Sequence, residues 1–428
     1  MKKIATIIAA HDGLVSLVTG VGVVVNSFVE AFQEIKLKVN KFKEHEIKLL
    51  CLAPYLDRKS IDYNKEIEQI TKNSCRINNG ILIDIPTFSD GSSQSSIWGG
   101  TSEQWNSASL SAASYILGTS KDYDLILLFA NDTIFSSIRR YIHNIKNLRV
   151  IWVPHSLGKV FKDEFSNETR LDIENKSIEA LLISECDYIG YISNSFKETL
   201  RKDYGVDNAR LLPLINGLYF NSFRYTISNA IVNENFIKYR IPNDKKLIFA
   251  WGRCVYQKGY DILIPTYKKF LNENPDYNLV LLMPIETSIG DYVNNIKKEI
   301  SKIPEDSITA IYEFSDTLPY SILHHKNLQF VIFPSRFEGA PITALEALAF
   351  SGDNVRFVYS LIPPLLELFK DNKRAIPIHN LTIDSLYESM LSVTKSNLTE
   401  IITKSNMPNN IIDNYAASIN TIMENERI

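Results

Sequence analysis

The chain has 428 residues, of which 45% are hydrophobic and 22% charged, and 46 basic against 49 acidic residues leave a net charge of −3. These proportions exclude a largely disordered chain, and the lack of net positive charge excludes a general nucleic-acid binder. At about 150 residues per domain, the length predicts two or three domains.

Short apolar runs rich in β-branched residues recur along the chain. Stretches with helical spacing separate most of them, for example Val23–Ile35, Ser177–Cys186 and Tyr260–Leu271. Continuous apolar runs suit strands buried on both faces of a parallel sheet, and their alternation with helices predicts a doubly wound α/β fold. The predicted strands are Ala5–Ala10, Lys48–Tyr55, Ile81–Thr87, Leu125–Asn131, Val150–His155, Tyr188–Asn194, Leu211–Asn216, Leu247–Trp251, Asn278–Pro284, Ile308–Phe314, Phe330–Ser335, Val355–Tyr359 and Ala375–His379.

The alternation of strands and helices begins twice, which predicts two Rossmann-like domains. We assign residues 1–220 to the first, 221–408 to the second, and 409–428 to a C-terminal helix. Ligands of α/β proteins bind at the carboxyl ends of the strands, so we expect a ligand site in a central cleft that both domains face.

The N-terminus superficially imitates a secretory signal, because Met1-Lys2-Lys3 precedes apolar residues. His11-Asp12-Gly13 interrupts that run, however, and a first β-strand is the better interpretation. The four cysteines lie far apart with no metal-ligand spacing, which favours a reducing compartment. We therefore expect a cytoplasmic protein.

The segment Phe88–Ser114 breaks the pattern, being rich in Ser and Gly with Trp98 and Trp105 inside it. It is predicted as a long loop. Two interpretations stay open: a loop that covers the substrate, or a surface loop with packed aromatic residues.

A turn between a buried strand and a helix carries the strongest chemical pattern. The strand ends at Pro334, Glu338 lies in the turn, and the helix is predicted to begin at Pro341, so that its free N–H groups can hold a phosphate. Glu346 lies about 7.5 Å from Pro341 along the helix axis. Two carboxylates beside a phosphate site suit sugar hydroxyl groups. The alternative is one capping and one solvated glutamate.

A second turn, Trp251–Gly259, follows the first strand of the second domain and supplies two cations, Arg253 and Lys258. A forked guanidinium and a mobile ammonium group would clamp a diphosphate. The alternative is two solvated surface cations.

Together these turns resemble the retaining glycosyltransferases of family 4 (glycosyl transferases group 1), which have the GT-B fold. Their hallmark is a G-R…K-G turn followed by two glutamates spaced E-x7-E, matched here by Glu338 and Glu346. The resemblance implies a nucleotide-sugar donor, with a UDP-sugar expected, transferred with retention to a hydroxyl acceptor of unknown identity, without metal or cofactor. It also implies that the C-terminal helix returns to the first domain.

The resemblance further implies roles for individual residues. Arg253 and Lys258 would hold the diphosphate, Glu338 the donor sugar and Glu346 the ribose. The expected catalytic set is Arg253, Lys258, Glu338 and His155. The other expected donor contacts are Gly22, Gly339, Ala340, Pro341 and Ile342. The chain departs from the family pattern after Gly352, where no further glycine occurs, so the base of the donor is not implied.

The N-terminal half carries weaker likenesses. The stretch His11–Val23 resembles the glycine loop of the family, and His155–Lys159 is similar to a stretch in sucrose-phosphate-synthase-like and inositol-glycosylating members, where the histidine contacts the donor sugar. The expected acceptor contacts are His11, Asp12, Gly20, Trp98, Trp105 and Asn131.

Two further patterns are weighed and set aside. Asp122-Tyr123-Asp124 matches a D-x-D metal motif, but an Asp at a strand entrance is commonplace in α/β proteins. The lysines of Lys36–Lys48 are interpreted as a solvated helix face, with weak contact to an anionic membrane as the alternative. A non-catalytic sugar-binding protein and a nucleotide-sugar epimerase are the rival functions.

Overall fold

The structure is a computed structural model, which describes residues 1–87, 101–161, 168–285, 290–395 and 410–426. The chain forms two compact units: unit 1 comprises Met1–Phe220 together with Asn409–Ile428, and unit 2 comprises Asn221–Pro408. Each unit contains one parallel β-sheet, in which the strands are joined through helices.

Unit 1 contains seven parallel strands within the described residues, in the order β3-β2-β1-β4-β5-β6-β7. All seven residues of β4 are buried, as expected for a strand covered by helices on both faces. The strands are β1 (Lys3–Ala9), β2 (Glu46–Pro54), β3 (Leu82–Ile85), β4 (Leu125–Asn131), β5 (Leu148–Val153), β6 (Tyr188–Tyr191) and β7 (Leu211–Pro213).

The helices of unit 1 connect these strands, and one more helix comes from the C-terminal segment. Thr19 caps the first helix, since its side chain accepts a hydrogen bond from the backbone N–H of Gly22. The helices are α1 (Gly20–Lys38), α2 (Lys65–Ile77), α3 (Ser102–Thr119), α4 (Ile138–Tyr141), α5 (Glu168–Ile183), α6 (Asn194–Lys202) and, from the end of the chain, α14 (Ile411–Asn425).

Helix α14 packs against α1 of the same unit. The ring of Tyr415 lies 4.3 Å from that of Phe28, centroid to centroid. Lys38 forms a salt bridge of 2.5 Å with Asp413, and Lys41 donates to the backbone oxygen of Met423 at 2.6 Å. Two lysines of the Lys36–Lys48 stretch therefore hold α14, and the weak membrane contact considered for that stretch stays a prediction.

Unit 2 repeats the arrangement with six parallel strands in its described residues, ordered β10-β9-β8-β11-β12-β13. The strands are β8 (Lys246–Trp251), β9 (Tyr277–Leu282), β10 (Ile308–Ile311), β11 (Leu328–Phe333), β12 (Arg356–Ser360) and β13 (Ala375–Ile378). The helices are α7 (Asn229–Lys238), α8 (Tyr260–Leu271), α9 (Asp291–Ile300), α10 (Leu318–Leu323), α11 (Ile342–Phe350), α12 (Pro363–Phe369) and α13 (Ile383–Lys395).

The predicted fold class is confirmed, since each predicted strand overlaps a strand of the structure. The long loop predicted over Phe88–Ser114 is wrong in its second half, where α3 begins at Ser102. A capping box starts this helix, because Thr101 and Gln104 each accept a hydrogen bond from the backbone N–H of the other. Trp105 consequently lies on a helix, whereas Trp98 lies outside the described residues.

The described helices do not include a membrane span. Within those ranges every helix is too short or too polar to cross a bilayer.

Candidate functional site

The strand order of each sheet identifies one position where ligands bind. In unit 1 the connections run in opposite directions from β1 and β4, and in unit 2 they do so from β8 and β11. Ligands of such sheets bind outside the carboxyl ends of the strands at this switch point. Apart from the two tryptophans, the candidate residues from the sequence follow these four strands or their neighbours, so each unit has its own cluster of them.

In unit 2, the structure brings the two sequence-predicted turns together. The ammonium group of Lys258 lies 2.6 Å from Oε1 of Glu338, although 80 residues separate them. The hydroxyl of Ser335 donates to the same oxygen at 2.7 Å, and the Gln257 amide donates to Oε2 at 3.0 Å. Glu338 is buried, which excludes a solvated glutamate. Arg253 lies half-buried in the same turn as Lys258.

Gly259 explains why these turns meet. It adopts the left-handed conformation with φ +68°, and a Cβ atom there would lie only 2.0 Å from the backbone oxygen of Pro334. The backbone N–H of Arg336 also donates to the oxygen of Gln257 at 2.8 Å. Only glycine permits this approach, and it places Lys258 beside Glu338.

Arg336, which sequence reasoning did not single out, braces the same region. Its guanidinium forms two hydrogen bonds with Asp261, of 2.8 and 2.6 Å, and lies 3.7 Å above the ring of Tyr256. Burial alone would raise the pKa of Asp261, but the hydrogen bonds from Arg336 and Tyr292 lower it. This ion pair ties the turn after β11 to the start of α8.

The helix that follows Glu338 starts one residue later than predicted. Pro341 is the N-cap of α11, with φ −73°, and makes no side-chain capping hydrogen bond. Ile342 is the first helical residue, and Gly339 and Ala340 lead into it. Since proline has no side-chain acceptor, the first backbone N–H groups of α11 stay available to an anion.

Glu346 lies one turn into α11 and is 4% exposed, so it is not a solvated glutamate either. The hydroxyl of Tyr320 donates to its Oε1 at 2.6 Å, and Nη2 of Arg224 lies 3.9 Å from that oxygen. Burial raises the pKa of Glu346, while the charge of Arg224 and the hydrogen bond from Tyr320 oppose the increase. Neither Arg224 nor Tyr320 was expected from the sequence.

In unit 1, Asp12 organises the loop between β1 and α1. Its carboxylate is buried and accepts backbone hydrogen bonds from Gly13 at 2.9 Å and Thr19 at 2.8 Å, and a hydroxyl hydrogen bond from Ser16 at 2.7 Å. A Cβ atom at Gly22 would lie 2.3 Å from its Oδ2. Asp12 thus holds the loop that carries His11 and leads to Gly20.

His155 and Asn131 form the most informative pair of this unit. The Asn131 amide nitrogen donates to the backbone oxygens of Ala9 and Phe129, both at 3.2 Å, so its Oδ1 faces Nε2 of His155 at 3.0 Å. Nε2 therefore carries the proton, and Nδ1 is an acceptor. That Nδ1 is buried without a hydrogen-bond partner, and burial lowers the pKa of His155 to about 4.

Asp132 is an additional residue of this cluster. It has φ +61° and ψ −177°, a region that residues other than glycine rarely occupy, and accepts a hydrogen bond from Ser156 at 3.0 Å. Burial would raise its pKa, but the charges of His11, Arg170 and His155 lower it. Nδ1 of His11 is also buried without a hydrogen-bond partner.

The loop after β5 is held by a buried ion pair. Arg170 donates from Nε to Glu174 at 2.8 Å and from Nη2 to Ser156 at 2.8 Å. Glu174 also accepts from the backbone N–H of Gly158 at 3.1 Å and from the hydroxyl of Tyr204. These contacts fix the segment in which His155 lies.

Three further sequence patterns can be placed. Trp105 is half-buried in the first turn of α3, the helix that follows β3. Asp124 directly precedes the central strand β4 and accepts a hydrogen bond from the backbone N–H of Lys3, at the start of the neighbouring β1, at 2.7 Å. In the described part of the chain, no three His, Cys, Asp or Glu side chains converge as a metal site would require.

Known proteins resemble part of this chain in sequence. Residues 232–424 match the family model described as Glycosyl transferases group 1. A glycosyltransferase of Methanocaldococcus jannaschii is 26% identical over 199 residues, 46% of this chain and 47% of that protein. Mannosylfructose-phosphate synthase of Agrobacterium fabrum is 24% identical over 219 residues, 46% of this chain and 45% of that protein. The matches thus span about half the length of these curated relatives.

Solved structures resemble nearly the whole chain. Sucrose-phosphate synthase from Thermosynechococcus elongatus has a TM-score of 0.64 at 15% identity, covering 99% of this chain and 95% of that one. HepE of Anabaena, solved with UDP-glucose, has a TM-score of 0.63 at 13% identity, covering 98% and 95%. These likenesses show that the chain has the GT-B fold.

Proposed function

We propose that this chain, whose residues 232–424 form a glycosyl transferases group 1 domain, transfers a sugar from a nucleoside-diphosphate sugar to a hydroxyl acceptor with retention of configuration and without a metal. A UDP-sugar is the proposed donor, in keeping with the UDP-glucose bound by the neighbour HepE. The observation that carries the proposal is the buried Lys258–Glu338 pair beside the start of α11 at the switch point of unit 2.

The charges of this cluster suit a diphosphate leaving group. Lys258 and Arg253 supply positive charge, and the first N–H groups of α11 supply oriented dipoles. Such preorganised groups stabilise the negative charge that develops as the bond to the sugar breaks. Glu346, buried nearby on α11, supplies a carboxylate for the ribose hydroxyls.

Glu338 is better suited to positioning the sugar than to attacking it. Its carboxylate already accepts hydrogen bonds from Lys258, Ser335 and Gln257, which fix its orientation and reduce its nucleophilicity. We therefore propose that Glu338 accepts hydrogen bonds from sugar hydroxyls and that no covalent intermediate forms on the protein.

The cluster in unit 1 provides an acceptor for a sugar hydroxyl. Because the pKa of His155 is about 4, the imidazole is neutral at pH 7, and its Nδ1 accepts rather than donates a hydrogen bond. We propose that His155 takes part in binding a sugar hydroxyl and that His11, Asp12, Gly20 and Asn131 shape the acceptor side. Trp105 and Trp98 remain proposed acceptor contacts only.

A binding and turnover screen tests this function. Wild-type protein is titrated with UDP-, GDP- and ADP-sugars, following the rise in Tm and the release of nucleoside diphosphate, with and without EDTA. For the wild type we expect one class of nucleotide sugar to raise the Tm and to be turned over whether or not EDTA is present. Glu338→Gln and Arg253→Ala should each slow the release of nucleoside diphosphate at least tenfold. The control Lys302→Ala removes an exposed ion pair with Glu299 and should act as wild type. Binding of a nucleotide sugar without any release of nucleoside diphosphate would instead identify a non-catalytic protein, and conversion of the nucleotide sugar to its epimer would identify an epimerase.

A further inference from the structure

A buried chain of polar contacts connects Arg224, Tyr320 and Glu346 in unit 2. Arg224 lies in the turn Phe223–Tyr225, directly after the boundary of the unit, Tyr320 lies on α10, and Glu346 lies on α11. All three side chains are at least nine-tenths buried. The contacts run in one direction: Nη2 of Arg224 donates to the Tyr320 hydroxyl at 3.4 Å, and this hydroxyl donates to Oε1 of Glu346 at 2.6 Å.

The packing around Tyr320 fixes the direction of its hydroxyl. Its ring lies edge-to-face against Tyr225 at 5.3 Å and against Phe350 at 5.6 Å. Burial also raises the pKa of Tyr320 well above its usual value, so the hydroxyl keeps its proton and remains a donor. Because Arg224 can only donate, the proton of the Tyr320 hydroxyl is directed to the other partner, Glu346, which accepts it.

The two oxygens of Glu346 are used differently. Oε1 receives Tyr320 and lies 3.9 Å from Arg224, whereas Oε2 has no hydrogen-bond partner among the residues that the structure describes. A carboxylate oxygen without a donor from the protein is available to accept hydrogen bonds from a ligand. A carboxylate oxygen can accept from more than one donor, as two neighbouring ribose hydroxyls would require.

We infer that Arg224 and Tyr320 are positioning residues that hold Glu346 by Oε1, so that Oε2 is presented to the ribose hydroxyls of the nucleotide. The inference rests on the proposed function. It makes the contact of Tyr320 with Glu346 a determinant of the preference for ribonucleotides over 2′-deoxyribonucleotides, although neither Arg224 nor Tyr320 contacts the nucleotide itself.

The test compares the binding of ribonucleotides and of 2′-deoxyribonucleotides to the wild type and to a protein variant that lacks the Tyr320 hydroxyl. Dissociation constants of UDP, GDP and ADP and of their 2′-deoxy counterparts are measured by calorimetry for the wild type and for Tyr320→Phe. A hydrogen bond to a charged group corresponds to about tenfold or more in affinity, so we expect the wild type to prefer the ribonucleotide by about that factor. In Tyr320→Phe the ribonucleotide should bind about tenfold more weakly and the deoxynucleotide nearly as before.

A control variant separates positioning from stability. Tyr267 is equally buried in the same unit, and its hydroxyl donates to the backbone oxygens of Tyr277 and Ser307, at 3.1 and 2.6 Å, rather than to Glu346. Tyr267→Phe should lower the Tm and leave the ratio of the two affinities unchanged. If Tyr320→Phe does not fold, Arg224→Lys is measured in its place, and its ratio of ribonucleotide affinity to 2′-deoxyribonucleotide affinity should also be lower than in the wild type.

The outcomes distinguish the inference from the function beneath it. A ribonucleotide preference that is unchanged in Tyr320→Phe or Arg224→Lys, or an equal weakening of both nucleotides, overturns the inference and leaves nucleotide binding intact. A wild type that binds no nucleoside diphosphate overturns both.

Discussion

Removal of the Lys258–Glu338 pair should destabilise unit 2 in a non-additive way. We consider three proteins: Lys258→Met, Glu338→Gln, and the double variant. The two charged groups lie 2.6 Å apart with exposed side-chain fractions of 15% and 8%, so neither is well solvated when its partner is removed.

The structure gives the expected magnitudes. Breaking a buried pair costs about 3–5 kcal/mol, and Lys258→Met should fall at the lower end, about 3 kcal/mol, since Ser335 and Gln257 still donate to Glu338. Glu338→Gln leaves Lys258, the more exposed partner, and should cost about 1.5 kcal/mol. The double variant leaves no unpaired charge and should cost about 3 kcal/mol, which gives a coupling energy of about 1.5 kcal/mol.

The assay needs a signal from unit 2 alone. The chain has four tryptophans, and only Trp251 lies in unit 2, stacked on Phe249 with ring centroids 4.6 Å apart. In a background with the other three replaced by Phe, urea unfolding followed by Trp251 fluorescence reports the free energy of unfolding of unit 2. Effects of the single variants that add up to that of the double variant within about 0.5 kcal/mol would refute the buried pair.

Two further predictions concern the turns and the acid response. Gly259→Ala should destabilise unit 2 by at least about 2 kcal/mol in the same assay, because the new Cβ would lie 2.0 Å from the Pro334 oxygen at φ +68°. The control Gly352→Ala lies in the same unit and should be harmless, since its Cβ would lie 3.5 Å from the nearest atom, Oδ1 of Asn354. Equal effects of the two variants would contradict this explanation. Burial lowers the pKa of His155 to about 4, so the contribution of the neutral imidazole to stability is present above pH 6.5 and is lost as the pH falls from 6.5 toward 4. His155→Gln should therefore reduce the difference between the urea midpoints measured at pH 7 and at pH 5. An unchanged difference would show that His155 is not buried in its neutral form.

The sheets could be predicted from the sequence because their strands are continuous apolar runs, which helices on both faces require. Helix α3 could not be predicted in the same way, since Ser102–Thr119 is rich in Ser and Ala and shows no clear apolar stripe. The capping pattern of Thr101 and Gln104 was the available signal, and it went unused.

The residues of the candidate site also fall into those that a sequence pattern could predict and those that it could not. Glu338, Lys258 and Glu346 carry a recognisable spacing, and the structure joins the first two. Tyr320 and Arg224 belong to segments without such a pattern, and their contacts depend on how the start of unit 2 and α10 pack on α11. Tertiary packing of this kind leaves no local trace in the sequence.

The discontinuity of unit 1 affects how the protein is made. Helix α14, whose Tyr415 covers Phe28 of α1, is translated only after the whole of residues 221–408. At 5–20 residues per second, translation of the chain between α1, which ends at Lys38, and α14, which begins at Ile411, takes roughly 20 to 75 s, and the apolar face of α1 waits that long for the helix that covers it. Unit 2 is contiguous and is complete before then, so during synthesis the later segment can finish folding before the earlier one.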